Sequence, residues 1–240
     1  FEPEQTLLLS RGPESSVTAK KVSEAGGLKG NDFKRYARRG LTECMLGKGA
    51  IVVEGLTEFH ALPAAARIME AHDKSLQPLD LSGATFFDAE TESNMQKFGI
   101  FFKSLGLKTF SFYDFMVRTP EKKKLLKDAF DVDFEHQHAG FEALIAEEMT
   151  ADSLWRFLED LRNSGDNGGF TIPIEKPVAF EIKKLAKSAL KGNKGAGWAA
   201  RLFEGCEVAE LPVSVTSFLE NIYADGMDVS AYPLLQAPAQ

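Results

Sequence analysis

The chain has 240 residues, of which 44% are hydrophobic and 26% charged, with a formal net charge of −7. Those fractions exclude a disordered or collagen-like chain and leave room for one large domain or a domain with a substantial appendage. The acidic balance excludes an overall basic field that would hold nucleic acid non-specifically, so any such binding must use local patches or metal ions.

In chain order, residues 1–32 read as a connector: TLLLSRG suits a strand, and SSVTAKKVSEAGGLKGND is weakly patterned. With Asn31 or Asp32 as N-cap, Phe33, Tyr36, Ala37, Leu41, Cys44 and Met45 fall at helical spacing, closed by Gly47 and Gly49. AIVVEG is a continuous β-branched run that suits a strand buried on both faces. LTEFHALPAAARIMEAHD reads as a helix, with Pro63 as a kink or a break near its start. A second strand spans roughly Gly83 to Phe87. The helix SNMQKFGIFFKSLGL follows, capped by Ser93 and ended by Gly106. KTFSFYDFM is a third strand with an acidic exit at Asp114. This β-α-β-α-β order predicts an α/β fold with a parallel sheet covered by helices.

Beyond it, PEKKKLLKDAF is a short basic helix, and DVDFEHQHAGFEALIAEE runs from a fourth strand into a helix. ADSLWRFLEDLRNSG is amphipathic, with Leu154, Trp155, Leu158 and Leu161 on one face. NGGFTIPIEKP is a loop, AFEIKKLAKSALKGNKG a basic helix, and GAGWAARLFEG and PVSVTSFLENIYADG closing helices. The two cysteines, Cys44 and Cys206, make no disulfide framework and fit buried thiols in a reducing, cytoplasmic setting. No apolar run approaches the roughly 18–20 residues of a membrane span, so no membrane partner is expected. The chain opens on Phe1 without a signal peptide, and its first stretch reads as the middle of a longer protein.

Parallel α/β sheets place ligands at the carboxyl ends of their strands. Here those ends are Glu54, then Asp88 and Glu90, then Asp114, with Glu58 four residues after Glu54 at the start of a helix. Grouped carboxylates repel one another unless a hard divalent cation lies between them, and such a cation recruits phosphate oxygens. The competing reading makes each acid a helix N-cap or dipole partner. His136 and His138, two apart, would share a strand face and suit either a soft metal or a polar supporting role, while His60 and His72 read as helix-surface residues. Lys122, Lys123, Lys124 and Lys127 form a basic run, and Lys183, Lys184, Lys187 and Lys191 recur along a helix. Both sets suit a solvated face or point charges along a DNA backbone. Trp155, Trp198 and the phenylalanines of GIFFKSLGLKTFSF read as core.

The motif VEGLTE at 53–58, with an apolar strand before it and a helix after it, resembles the Toprim domain. In the form VEG-x-TE it is similar to the OLD (overcoming lysogenisation defect) family of nucleases. RRGLTECMLGKG resembles the helix leading into that strand, and LKGNKGAGWAARLFEG the family's lysine motif, so the likeness covers roughly residues 33–222. It implies a Toprim core over 33–116, a helical subdomain with one further strand inserted over 117–190, and a lysine motif with closing helices over 191–240. It also implies an N-terminal ABC-type ATPase in the full protein, through which the chain would dimerise, since no GxxxxGK[ST] phosphate loop occurs here.

The resemblance implies cleavage of DNA with two Mg²⁺ or Mn²⁺ ions. Glu54 would bind metal or act as general base, Glu58 would ligate the second ion, and Asp114 would be the first acid of an acid-x-acid motif. Met116 stands where the second acid is expected and cannot ligate a hard cation, so either another acid takes its place, with Asp88 and Glu90 the nearest candidates by strand order, or one metal site is weakened. The literal DxD at Asp131 and Asp133 comes too late in strand order. Glu142 matches the acid after the fourth strand, with Glu135 a weaker choice, and Lys194 or Lys191 would stabilise the charged transition state. Lys122, Lys123, Lys184 and Lys187 are the candidate DNA contacts. The expected activity is that of a divalent-metal-dependent DNA endonuclease. The alternatives are an inactive Toprim binding or assembly module and a Toprim nuclease acting on RNA. A topoisomerase would need a catalytic tyrosine, and Tyr36, Tyr113, Tyr223 and Tyr232 lack that context.

Overall fold

The structure, a computed structural model, describes residues 2, 5–11, 16–36 and 40–225. Ala37 of the first expected helix, Tyr232 and the rest of 226–240, and parts of the opening stretch lie outside the described residues. In chain order the elements are β1 (Leu7–Arg11), β2 (Val17–Lys21), α1 (Gly30–Tyr36), α2 (Thr42–Leu46), β3 (Gly49–Val53), α3 (Leu56–His72), α4 (Leu79–Ser82) and β4 (Ala84–Asp88). Then come α5 (Glu92–Leu105), β5 (Lys108–Tyr113), α6 (Pro120–Asp128), β6 (Val132–Glu135), α7 (Phe141–Glu148), α8 (Ala151–Ser164), α9 (Ala179–Gly192), α10 (Trp198–Glu204) and α11 (Val213–Ala224).

The fold is α/β. Four parallel strands pair in the order β4-β3-β5-β6 and helices flank the sheet. Because side chains alternate along a strand, β3 feeds two cores. Ile51 and Val53 pack with Phe110, Phe112, the alanines of α3 and the apolar faces of α7 to α11. Ala50 and Val52 pack on the other face, with Phe87, Phe98, Phe101, Phe102, Tyr113 and the Phe33–Tyr36 stretch. Every residue of β3 is buried, which is why its sequence reads as an unbroken apolar run. Trp155 and Trp198 are core residues, as their spacing implies. Among the described residues no helix is long and apolar enough to cross a membrane.

Four expectations need correction. The opening connector is an antiparallel hairpin of β1 and β2, anchored by the buried Val22. TLLLSRG does hold the strand β1, but β2 went unread because all five of its residues are exposed and show no inside–outside alternation. The first helix is two short helices, α1 starting at Gly30 and α2 at Thr42. Asp32 lies in the first turn of α1, where its carboxylate accepts the Lys29 N–H and pairs with Lys97. The N-cap of α5 is Thr91, and the Ser93 hydroxyl lies 2.9 Å from that of Thr91. Pro63 sits inside α3 without ending it. The left-handed C-cap at Gly106 (φ 91°) is as expected.

Candidate functional site

The acids that follow β3 and β5 meet at the sheet's carboxyl end. Glu54 leaves β3, Gly55 caps α3 in extended backbone, and Glu58 falls in the first helical turn, 6% exposed. The Glu58 carboxylate bends back over Gly55, where a Cβ would stand 3.5 Å from Oε2. β5 pairs directly with β3, which brings Asp114 beside Glu54, and the Asp114 N–H donates to Glu54 Oε2 at 3.3 Å. These side chains share one cleft of about 310 Å³ with Asp88, Glu90, Lys194 and the Gly55–Thr57 segment.

Glu142, in the first turn of α7, is buried at the base of the same group. It accepts the Thr57 hydroxyl at 3.2 Å and lies 3.1 Å from Lys194 Nζ. Gly140 (φ 123°) precedes it, and a Cβ there would meet Glu142 Oε2 at 3.7 Å and Asp114 Oδ2 at 3.8 Å, so both oxygens abut the same glycine. Lys194 opens a 3-10 turn between α9 and α10. Lys191, in the last turn of α9, is exposed and is not among the residues lining the cleft.

The electrostatics follow from this crowding. Burial pushes the Glu58 carboxyl up to about 8; a hydrogen bond from its own backbone opposes the rise, and the charges of Asp114, Glu54 and Glu142 add to it. Burial, then the Asp114 charge, also raises Glu54, against the Asp114 N–H. Partial burial lowers Lys194, but the Glu142 carboxylate and then Glu58 and Asp114 outweigh it and hold the ammonium above its usual range.

Two further acids line the cleft in other employment. Asp88 Oδ1 accepts the Glu90 N–H at 2.7 Å and stabilises the left-handed backbone of Glu90 (φ 68°). Glu90 Oε2 pairs with Arg35 at 2.6 Å and accepts the Tyr36 hydroxyl at 3.3 Å. Met116 is half exposed and is not a lining residue. The later DxD is structural: Asp131 accepts the Thr109 N–H and hydroxyl and pairs with Lys103, while Asp133 accepts from Ser111 and Tyr113. Glu135 pairs with Arg118 and Lys123.

His136 joins the site although nothing in the sequence placed it there. Tyr113 is in register with Glu135, so the next residues, Asp114 and His136, emerge side by side. The His136 ring is buried, and its Nδ1 accepts the His138 N–H at 3.2 Å, which leaves the proton of the neutral ring on Nε2. Nε2 lies 2.9 Å from Asp114 Oδ1 but off the hydrogen-bonding axis, so both buried atoms lack a hydrogen-bond partner. His138 turns to Glu148 at 2.9 Å, so the two histidines serve different acids and make no soft-metal pair. His60 packs edge-on against Phe59 and His72 is exposed at the end of α3. Lys122, Lys124, Lys127, Lys184 and Lys187 are exposed. Lys183 donates to the Glu147 carbonyl at 2.9 Å. Burial raises both thiols, Cys206 to about 11 and Cys44 further, so neither is a nucleophile at neutral pH.

Among the described residues no three acid, histidine or cysteine side chains converge tightly enough to hold an ion as they stand. The donors nonetheless fit a hard cation. All are carboxylate oxygens, Asp114 Oδ1 is buried without a hydrogen bond, and Glu58 is buried among three like charges.

Comparison with known proteins bears on the fold and on part of the chain. Residues 45–115 match the family described as "Overcoming lysogenization defect protein-like, TOPRIM domain". That stretch holds Glu54, Glu58, Asp88, Glu90 and Asp114, whereas Glu142 and Lys194 lie beyond it. The fold is shared with the C-terminal region of the OLD protein of Xanthomonas campestris pv. campestris, in the structure phased with mercury (16% identity, 78% of this chain and 99% of that one, TM-score 0.52). It is shared likewise with the C-terminal region of the Burkholderia pseudomallei OLD protein (16% identity, 76% and 100% coverage, TM-score 0.50). A comparison with curated proteins finds none that matches.

Proposed function

From an OLD-like TOPRIM domain over residues 45–115, we propose a divalent-metal-dependent DNA endonuclease: the nuclease part of an ATPase–nuclease. The observation that carries this reading is the shared cleft of Glu54, Glu58 and Asp114 with Lys194 at its edge. Acids alone would repel a phosphodiester, and a phosphate enters such a cleft only with cations that offset them. Glu54, Glu58, Asp114 and Glu142 are the residues that would hold Mg²⁺ or Mn²⁺. When bound, such ions supply charge neutralisation and Lewis-acid polarisation of the phosphodiester.

The chain's own groups do the rest. Lys194, protonated and anchored by Glu142, offers a fixed positive charge to the phosphate as negative charge builds on it. Glu54, at the end of β3 and hydrogen-bonded by the Asp114 N–H, would serve as metal ligand or as general base. Thr57 holds Glu142 in place. Asp88 and Glu90, which line the cleft, are the candidates for the acid missing at position 116, and Lys184 and Lys187 extend the DNA track. In this reading 33–116 is the Toprim core, 117–190 an insertion and 191–240 the lysine segment, joined in the cytoplasm to an N-terminal ATPase that dimerises it.

Incubation of the purified chain with supercoiled plasmid and Mg²⁺ or Mn²⁺ tests this. Wild type nicks; Glu54→Ala and Lys194→Ala lose roughly 10²-fold or more in rate, with unchanged circular dichroism; Lys191→Ala keeps its rate. Absence of nicking by wild type, or equal nicking by Glu54→Ala, would refute the assignment in favour of an inactive binding module.

A further inference from the structure

The loop after Asp114 is where the acid-x-acid pattern breaks. Phe115, Met116 and Val117 follow in succession, 41%, 49% and 94% exposed. Apolar side chains in water usually sit on loose segments or await a partner. This loop is pinned. The Arg118 guanidinium, only 5% exposed, donates to the carbonyls of Asp114 at 3.1 Å and Met116 at 3.3 Å. It also pairs with Glu92 at 2.7 Å and with Glu135, and lies over the Tyr113 ring. The Phe115 N–H donates to the His138 carbonyl at 2.9 Å. A buried cation with four oxygen partners thus holds the backbone of an apolar tip one to three residues from a cleft acid. Two residues further on, Thr119 caps α6, whose Lys122, Lys124 and Lys127 are exposed.

We propose that Phe115–Val117 is an apolar wedge that enters a base step of duplex DNA beside the phosphodiester held in the cleft, with the α6 lysines on flanking phosphates. The proposal rests on the nuclease reading and adds how the duplex is gripped. Charge complementarity favours DNA as the occupant, because the apolar tip lies between a cation-seeking cleft and a basic helix. Unstacking one step costs free energy that apolar contact with the base faces offsets. The wedge is already ordered, so binding loses little conformational entropy there. An acid at 116 would be repelled by the DNA backbone, and methionine is not. The residue that departs from the metal motif is thereby given a role.

A duplex oligonucleotide carrying 2-aminopurine, titrated with the full chain in Ca²⁺, tests it. Wild type raises the fluorescence as the reporter base unstacks. Phe115→Ser/Val117→Ser, at exposed positions, keeps its melting temperature, loses the rise, and binds about tenfold more weakly. Lys122→Ala/Lys124→Ala binds more weakly with a shallower salt dependence, yet keeps the rise at saturation. Wild-type binding without a rise, or a full rise in the double serine variant, overturns the wedge. So does a serine variant that changes only self-association in sedimentation, which would make the loop a contact between chains. If wild type nicks plasmid while the reporter stays flat, the wedge alone fails; if it neither binds nor nicks, the nuclease reading fails with it.

Discussion

Glu58 concentrates the physics of the site in one side chain. Its carboxyl is raised to about 8 in the folded chain, against 4.5 for an ordinary glutamate. The folded state therefore holds this proton more tightly than the unfolded state. Its stabilising effect is complete below pH 4.5 and is lost as pH rises through the window up to about 8. In EDTA, the melting temperature should fall across that window, and Glu58→Gln should remove the fall by stabilising the chain at pH 8.5 by on the order of a few kcal/mol. A wild-type melting curve flat in pH, or a variant with the same slope, would contradict the burial argument. His136 is the second residue-scale case. Its buried ring places Nε2 2.9 Å from Asp114 Oδ1 and packs beside that carboxylate. His136→Ala should weaken Mn²⁺ binding by roughly 10- to 100-fold, as loss of a supporting contact behind a ligand does. Calorimetric titration with Mn²⁺ reads this directly, and an unchanged affinity would remove His136 from the site.

Among the elements, those read correctly from sequence were the ones whose burial leaves a strong signature. β3 is apolar throughout because both of its faces are covered, and α3 carries its alanines where it packs on the sheet. Glu54, Glu58 and Asp114 were legible because strand ends in a parallel sheet converge at one edge. His136 and Thr57 were not, because their roles depend on the β5–β6 register and on how α7 sits against α3, neither of which leaves a local pattern. β2, and with it the hairpin, escaped for the opposite reason, since a strand that buries little shows no alternation. Gly99 offers a test at this scale. It lies inside α5, where glycine costs about 1 kcal/mol relative to alanine. A Cβ there would stand 2.7 Å from Phe130 Cζ and 2.8 Å from the Ala129 carbonyl. Gly99→Ala should therefore destabilise the chain by about 1–3 kcal/mol in urea unfolding, despite the gain in helix propensity. Stabilisation instead would mean that α5 and the segment before β6 are not in close contact.

At the scale of the molecule, a net charge of −7 and a cleft rimmed with acids make bare affinity for DNA unfavourable. Affinity for a duplex should be negligible in EDTA and appear with Ca²⁺, a dependence that gel-shift assays with and without chelator would read. Binding of equal strength in EDTA would locate the DNA surface away from the cleft. All of this depends on the carboxylates at the ends of β3 and β5 acting as a seat for hard cations. The most direct measurement is a Mn²⁺ titration of the metal-free chain followed by electron paramagnetic resonance, with wild type beside Glu54→Gln/Asp114→Asn. Wild type should show saturable binding that is lost in the double variant while the fold persists. Identical binding curves for the two proteins would contradict it.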